Sequence, residues 1–204
     1  MNRSITLTVV TIIASSFACG CALGPLAMHE TARSVGKAKN EFDYAFGSMG
    51  HMISWNVGAS DDLDVGIHLE SLSIGIRAKY AFINARENGW SLAAAAGVGS
   101  SFGGGHYYGD VISSYLSEFW EPYGALRLTH AHNDPIYIKD RDNSRSTYTF
   151  SAGDYDYGAV ILGSRFWLSE RWMASIEASS LFSAASNVTF GSNVLASAAF
   201  GYRF

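Results

Sequence analysis

The stretch Val194–Phe204 (VLASAAFGYRF) ends the 204-residue chain, and its pattern decides how the rest is read. Val194, Ala196, Ala198, Phe200, Tyr202 and Phe204 fall on one side of an extended backbone. Leu195, Ser197, Ala199, Gly201 and Arg203 fall on the other. Alternation with period two is that of a β-strand whose two faces meet different surroundings. Here one face is apolar and aromatic, and the other is small or polar.

The same alternation begins near residue 39 and hardly stops. Phe42, Tyr44 and Phe46 oppose Glu41, Asp43 and Ala45; Ile53, Trp55, Val57 and Ala59 oppose Ser54, Asn56 and Gly58. After Ser60-Asp61-Asp62, Leu63, Val65, Ile67 and Leu69 oppose Asp64, Gly66, His68 and Glu70. Leu72, Ile74, Ile76, Ala78, Tyr80 and Phe82 then oppose Ser73, Gly75, Arg77, Lys79 and Ala81. A turn at Asn84–Asn88 leads to Trp90, Leu92, Ala94, Ala96 and Val98. Tyr107–Leu116 alternates weakly, and Glu118–Ala131 more clearly. His132–Asp154 reads as one long polar loop. Tyr155–Leu168 and Arg171–Phe182 flank Ser169-Glu170, and a polar link through 187–193 precedes the closing strand. The count is about ten strands, or eight if Tyr107–Leu116 and one early segment are not part of the wall.

Composition narrows the class. Charged residues make up 16% of the chain, against roughly 25% in soluble domains. Beyond the N-terminus no run approaches the ~18 apolar residues of a spanning helix. A soluble β-sandwich would place Lys, Glu and Thr on its exposed faces. Here the less apolar face is mostly Gly, Ser and Ala. A net charge of −4, without a basic stripe, argues against a nucleic-acid binder.

The triplet Phe200, Tyr202 and Phe204, running to a C-terminal Phe, resembles the closing strand of bacterial outer-membrane β-barrels. The Ser-Asp-Asp-Leu-Asp-Val-Gly passage at 60–66 also resembles hairpins of barrel families of unassigned function. The resemblance implies an all-β, transmembrane, antiparallel up-and-down barrel over residues 39–204, set in outer-membrane lipids. It also implies that Phe200, Tyr202 and Phe204 are read by the barrel-assembly machinery. Trp55, Trp90, Trp120, Trp167, Trp172 and Tyr202 then fit interfacial girdles.

Met1–Ala18 carries Arg3 and a 13-residue apolar-leaning run, Ile5–Phe17, as in a secretory signal. Cys19 and Cys21 follow, too close for a relaxed disulfide. The segment resembles a lipoprotein signal, with Cys21 fitting lipidation better than Cys19; an ordinary cleaved signal is the alternative. Residues 1–20 are thus expected as signal peptide and 21–38 as a periplasmic tether. An even strand count puts both chain ends on the periplasmic side, with Gly103–Gly105, His132–Asp154 and Ser183–Ser192 as surface loops. The closing strand should pair with Lys39–Gly47, and Arg203 should point inward towards Glu41 or Asp43.

The inward face carries Glu41, Asp43, Asp64, His68, Glu70, Arg77, Lys79, Glu121, Arg127, Arg165, Glu177 and Arg203. Buried charges are tolerable when paired, so these are expected to form a salt-bridge network across a narrow lumen. The functional expectation is a non-enzymatic structural or interaction protein of the cell surface, with no cofactor and an unspecified surface ligand. A narrow ion or solute pore is the alternative, and a lipid-modifying enzyme the third reading. No spacing among His29, His51, His68, His106, His130 and His132 marks a catalytic site. His130 and His132 share a strand face, but their place at a strand end suits a solvated rim better than a metal site. Gly97–Gly105 lacks the Lys-Ser/Thr ending of a phosphate loop. Asn187-Val188-Thr189 matches a glycosylation acceptor.

Overall fold

Alternation on this scale produces strands throughout a computed structural model that describes residues 24–48, 50–70, 73–101, 103–134, 136–139, 146–150, 153–183 and 194–204. In chain order the strands are β1 (Asn40–Gly47), β2 (Gly50–Gly58), β3 (Leu63–Glu70), β4 (Ser73–Ile83), β5 (Gly89–Ser101) and β6 (Gly104–Leu116). They continue as β7 (Trp120–Asn133), β8 (Ile136–Lys139), β9 (Ser146–Phe150), β10 (Gly153–Trp167), β11 (Trp172–Ser183) and β12 (Val194–Arg203). Ten of them close into an antiparallel up-and-down barrel in the order β1-β12-β11-β10-β7-β6-β5-β4-β3-β2. β8 and β9 pair only with each other. The expected loop between β7 and β10 therefore contains a hairpin of its own. Its residues alternate too weakly for sequence to separate it from polar loop.

The seam forms where sequence places it: β12 pairs with β1, with Arg203 opposite Glu41 and Tyr202 opposite Phe42. Closure leaves no unpaired strand edge in the wall. The weakly alternating 107–116 stretch is an ordinary wall strand, β6. It carries an aromatic on each face, Tyr107 outward and Tyr108 inward, which hides the alternation from a reading by residue type.

The wall is inverted relative to a water-soluble protein. Ile76, Leu162 and Ile176 are 61%, 63% and 58% exposed, while Arg127 and Arg165 are each 1% exposed. Trp55, Trp90, Trp120 and Trp172 are outward and exposed. They lie towards the end that holds Asn40 and Phe204, hereafter the seam end. The opposite end, which bears β8 and β9, is the loop end. Trp167 departs from the girdle expectation, because it turns inward beneath the guanidinium groups of Arg33, Arg165 and Arg203. None of the described residues forms a helix long and apolar enough to cross a membrane.

Glycine explains how inward side chains lie flat on this wall. Directly across the strand pairing, Tyr108 faces Gly97, His106 faces Gly99, His68 faces Gly75 and Tyr123 faces Gly163. A Cβ at Gly97 would stand 2.4 Å from the Tyr108 ring, and one at Gly163 2.2 Å from Tyr123. Each large residue folds over a glycine, which leaves the middle of the barrel open to another occupant.

That occupant is the chain's own N-terminal part. The expected periplasmic tether, over residues 21–38, is corrected for its described residues: the chain from Gly24 to Val35 runs inside the barrel. Met28, His29, Ala32 and Val35 are no more than 3% exposed. A narrow barrel closed only by wall side chains does not occur. Ten strands enclose more space than these small inward residues fill, and a length of chain occupies it. Residues 1–23, including Cys19 and Cys21, and 184–193, including Asn187-Val188-Thr189, lie outside the described residues.

Candidate functional site

The lumen and its inserted segment form the candidate site. An extended chain with no neighbouring strand must find partners for every buried peptide group. The charged residues of the wall supply them. Glu70, at the loop end of β3, accepts from the backbone N–H groups of Leu26 at 2.7 Å and Ala27 at 3.2 Å. Glu177 on β11 accepts from Met28 at 2.9 Å and His29 at 2.7 Å, and from the Tyr123 hydroxyl at 2.9 Å. Asp64 on β3 accepts from the Val35 N–H at 3.1 Å and the Ser34 hydroxyl at 2.7 Å. Cations take the carbonyls. Arg127 donates to Pro25 O at 2.5 Å, Arg165 to His29 O, and Lys79 to Thr31 O and Arg33 O at 3.1 and 2.9 Å.

Two adjacent N–H groups converging on one carboxylate need a local bend. His29 provides it with a φ of 48°, in the left-handed region. Its ring is held by Ser175 through Nδ1 at 2.9 Å and by Ser197 through Nε2 at 2.8 Å. His29 belongs to the inserted segment rather than to a strand.

The segment's own side chains complete the contacts. Glu30 pairs with Arg77 at 2.8 Å and Lys79 at 3.4 Å, and accepts from Asn56 at 3.1 Å. Arg33 makes two bonds to Glu121, at 3.0 and 2.8 Å. Leu26, Met28 and Ala32 pack among Ala81, Ala93, Ile112, Ala125 and Ile161.

All eleven inward charged residues, Glu41, Asp43, Asp64, Glu70, Arg77, Lys79, Glu121, Arg127, Arg165, Glu177 and Arg203, lie on the inner face. Several of them pair with one another within the wall, and of these Asp64, Lys79 and Arg165 bind the segment as well. Glu41 pairs with Arg165 at 2.9 Å and Arg203 at 2.5 Å, Asp43 lies 3.7 Å from Arg165, and Lys79 lies 3.2 Å from Asp64. These are contacts within the wall. Glu70, Glu121 and Glu177 instead spend their oxygens on the segment or on wall hydroxyl and indole groups.

Asp110 on β6 was not foreseen. It holds Arg127 through two bonds, at 2.7 and 2.9 Å, and Arg127 lies 4.5 Å over the Tyr108 ring. The weak alternation of its strand concealed it. The excess of Gly, Ala and Ser on the inward face was the sequence signal for an inserted chain, since those residues cannot fill a ten-stranded lumen.

Other histidines sit apart. His130 bonds Asp156 at 2.8 Å and His132 bonds Asp154 at 2.5 Å, on the outer face near the loop end. Among the described residues, no group of three or more His, Cys, Asp or Glu is placed to hold a metal ion. At the Ser–His contacts of the segment, the His29 ring is itself fully buried, at 0% exposed.

No family model matches the sequence, and no curated protein matches it. Solved structures of bacterial outer-membrane β-barrels are similar to it at low identity. The N-terminal β-barrel domain of Pseudomonas aeruginosa OprF is 12% identical, covering 83% of this chain and 99% of that one, with a TM-score of 0.41. The KdgM porin in complex with disordered oligogalacturonate is 9% identical, covering 81% and 98%, with a TM-score of 0.38. Ail, the attachment invasion locus protein of Yersinia pestis, is 11% identical, covering 82% and 99%, with a TM-score of 0.31.

Proposed function

We propose that this chain is a plugged, non-conducting and non-enzymatic barrel of the bacterial outer membrane, acting through its loop-end surface. One observation carries the proposal: the lumen is occupied along its length by residues 24–35. Two cavities between segment and wall, one lined by Leu26 and Ala27 and one by Pro25, Met28 and Glu30, measure about 20 and 10 Å³, each about the size needed for a single water. A larger one of about 390 Å³ opens beside Arg33, Trp167 and Arg203 towards the seam end. Cavities of the smaller kind do not carry ions or solutes past the segment.

The band of exposed Ile, Leu, Val and aromatic side chains supports the membrane setting, since a surface of that size and chemistry is unfavourable in water. In the proposed orientation the seam end faces the periplasm and the β7–β10 connection faces outward. Lipids contact the wall, the assembly machinery reads Phe200, Tyr202 and Phe204, and an acyl chain is attached at Cys21 rather than Cys19. Palmitate incorporation lost in Cys21→Ala but kept in Cys19→Ala is the result expected for the anchor. Incorporation that survives Cys21→Ala overturns it.

Planar-bilayer recording tests the plug. The purified full chain should give no steady unit currents. Reproducible currents from it would sink the proposal in favour of a narrow pore.

A further inference from the structure

The inserted segment carries one charged side chain out of the sealed interior and into the seam-end mouth. It runs from Leu26, bonded to Glu70 at the loop end of β3, to Val35, bonded to Asp64 near the seam end of the same strand. That direction brings Arg33 to the seam end, where it and Arg203 of β12 both line the cavity of about 390 Å³. The volume falls within the range of small-molecule sites.

The floor of this cavity is fixed in place. Trp167, turned inward, donates its indole N–H to Glu121 at 3.2 Å. Its ring lies 5.2 Å from the Arg33 guanidinium and 4.7 Å from that of Arg203. Each arginine spends Nε and Nη2 on a buried carboxylate, Arg33 on Glu121 and Arg203 on Glu41. The Nη1 group of each makes no bond within the described residues. Their side chains are 11% and 15% exposed, against 1% for Arg165. Two positioned guanidinium groups therefore keep N–H donors to offer a ligand.

The rim is acidic. Two turns form it, 117–119 between β6 and β7 and 168–171 between β10 and β11, and the Trp167 N–H ties them by donating to Phe119 O at 2.7 Å. They bring Glu118 and Glu170 to the cavity. Glu118 has a φ of 43°, a left-handed conformation that is costly for a residue with a Cβ, and its N–H donates to Asn88 Oδ1 at 2.8 Å. Ser169 Oγ accepts from the N–H groups of Arg171 at 3.3 Å and Trp172 at 3.0 Å, which leaves its O–H to donate. Phe119, 61% exposed, adds an apolar edge.

We propose that this cavity is a binding site for a short peptide with free ends, two or three residues long. The peptide carboxylate takes the Nη1 groups of Arg33 and Arg203, the ammonium takes Glu118 or Glu170, and an apolar side chain covers Phe119. Charge selects this class. Glu118 and Glu170 repel a simple anion, Arg33 and Arg203 repel a simple cation, and a molecule with separated charges satisfies both pairs. Because Arg33 belongs to the inserted segment, a bound peptide bridges segment and wall, and each strengthens the hold of the other. The site faces the periplasm in the orientation given above, while the binding itself does not depend on that orientation.

Isothermal titration of the folded full-length protein in detergent micelles tests the site with glycyl-L-phenylalanine, its C-terminal amide and its N-acetyl derivative. Saturable one-to-one binding of the free peptide is expected, with each derivative about tenfold weaker or more, as for loss of a charge-assisted hydrogen bond. Glu118→Gln together with Glu170→Gln should remove most of the N-acetyl penalty and leave the amide penalty, a split that a merely structural change would not produce. Amide exchange at Ser34 and Val35 should slow when the peptide is bound. Absence of saturable binding, or equal binding of free peptide and amide, overturns the proposal. Inorganic phosphate binding as tightly as the peptide overturns the assignment to a peptide. Binding that leaves exchange at Ser34 and Val35 unchanged overturns the part given to Arg33. A protein that refuses the peptide yet stays silent in planar bilayers sinks this inference alone and leaves the plug standing.

Discussion

Arg203 Nε donates to Glu41 Oε2 at 3.0 Å, so the last strand and the first share a buried ion pair across the seam as well as their backbone ladder. Glu41 also receives Arg165 at 2.9 Å through its other oxygen, which makes one carboxylate the partner of two guanidinium groups. The seam joins residues 162 positions apart, and sequence-local forces cannot hold it.

Removing Glu41 should therefore cost more than removing Arg203. Glu41→Ala leaves two guanidinium groups short of a partner, and breaking a buried pair costs about 3–5 kcal/mol. Arg203→Ala should cost less, because its side chain is 15% exposed and water can compensate in part. Urea unfolding midpoints of the refolded proteins in lipid vesicles check the order. Equal midpoints for the two variants would argue against Glu41 as the shared node.

Glu70→Gln and Glu177→Gln remove charge from acceptors that bind the segment's backbone. Each should weaken the hold by roughly the 1.5–3 kcal/mol of hydrogen bonds to charged groups. Faster amide exchange at Leu26–His29, with the β1–β12 ladder unchanged, is the expected signature. Uniform loss of protection across the barrel would instead mark a role in wall stability.

Deleting residues 24–35 should open the lumen. The variant is expected to conduct in planar bilayers where the intact protein does not, provided it still shows the heat-dependent gel shift of a folded barrel. A folded but silent deletion variant would mean that wall side chains alone close the path.

Ala27 packs against Ala45, Met52 and Ala199 inside the loop half of the barrel. With Cys19 and Cys21 replaced by Ser, Ala27→Cys and Ala45→Cys together should form an intramolecular disulfide on mild oxidation, detectable by mass. A Cys pair at Ala27 and Ala81, which lies near the seam end of β4, should not. The opposite outcome would reverse the direction of threading.

Gly97→Ala should push the Tyr108 ring off the wall and towards Pro25 and Arg127. Overpacking of this kind costs about 1–3 kcal/mol, read as a lower unfolding midpoint. Gly97→Ala combined with Tyr108→Leu should recover much of the loss.

Much of the wall was legible in residues alone. Val194–Phe204, Leu63–Leu69 and Leu72–Phe82 declare their faces because neighbouring side chains of a strand must point to opposite sides, and only one side could be apolar. The seam and the inward aim of Arg203 follow once closure is assumed. β6 was harder, since Tyr107 and Tyr108 put similar residues on both faces. The β8–β9 hairpin offered only two short runs, Ile136–Lys139 and Ser146–Phe150, within a polar stretch, too little alternation to set it apart from loop.

The sequence by itself determined an antiparallel barrel of about ten strands, with eight left open, its closure of the last strand on the first, and most of the residues that face inward, because each of these follows from a period of two acting locally. Only the tertiary structure decided that residues 24–35 lie inside that barrel and cross it from end to end. Their stretch carries no period, and its partners sit up to 168 positions away in sequence. Glu70, Glu177, Asp64, Lys79, Arg127 and Arg165 bind its peptide groups, which every residue possesses, so nothing in the segment's own residues announces the contact. It exists because ten closed strands leave a space that small inward residues do not fill.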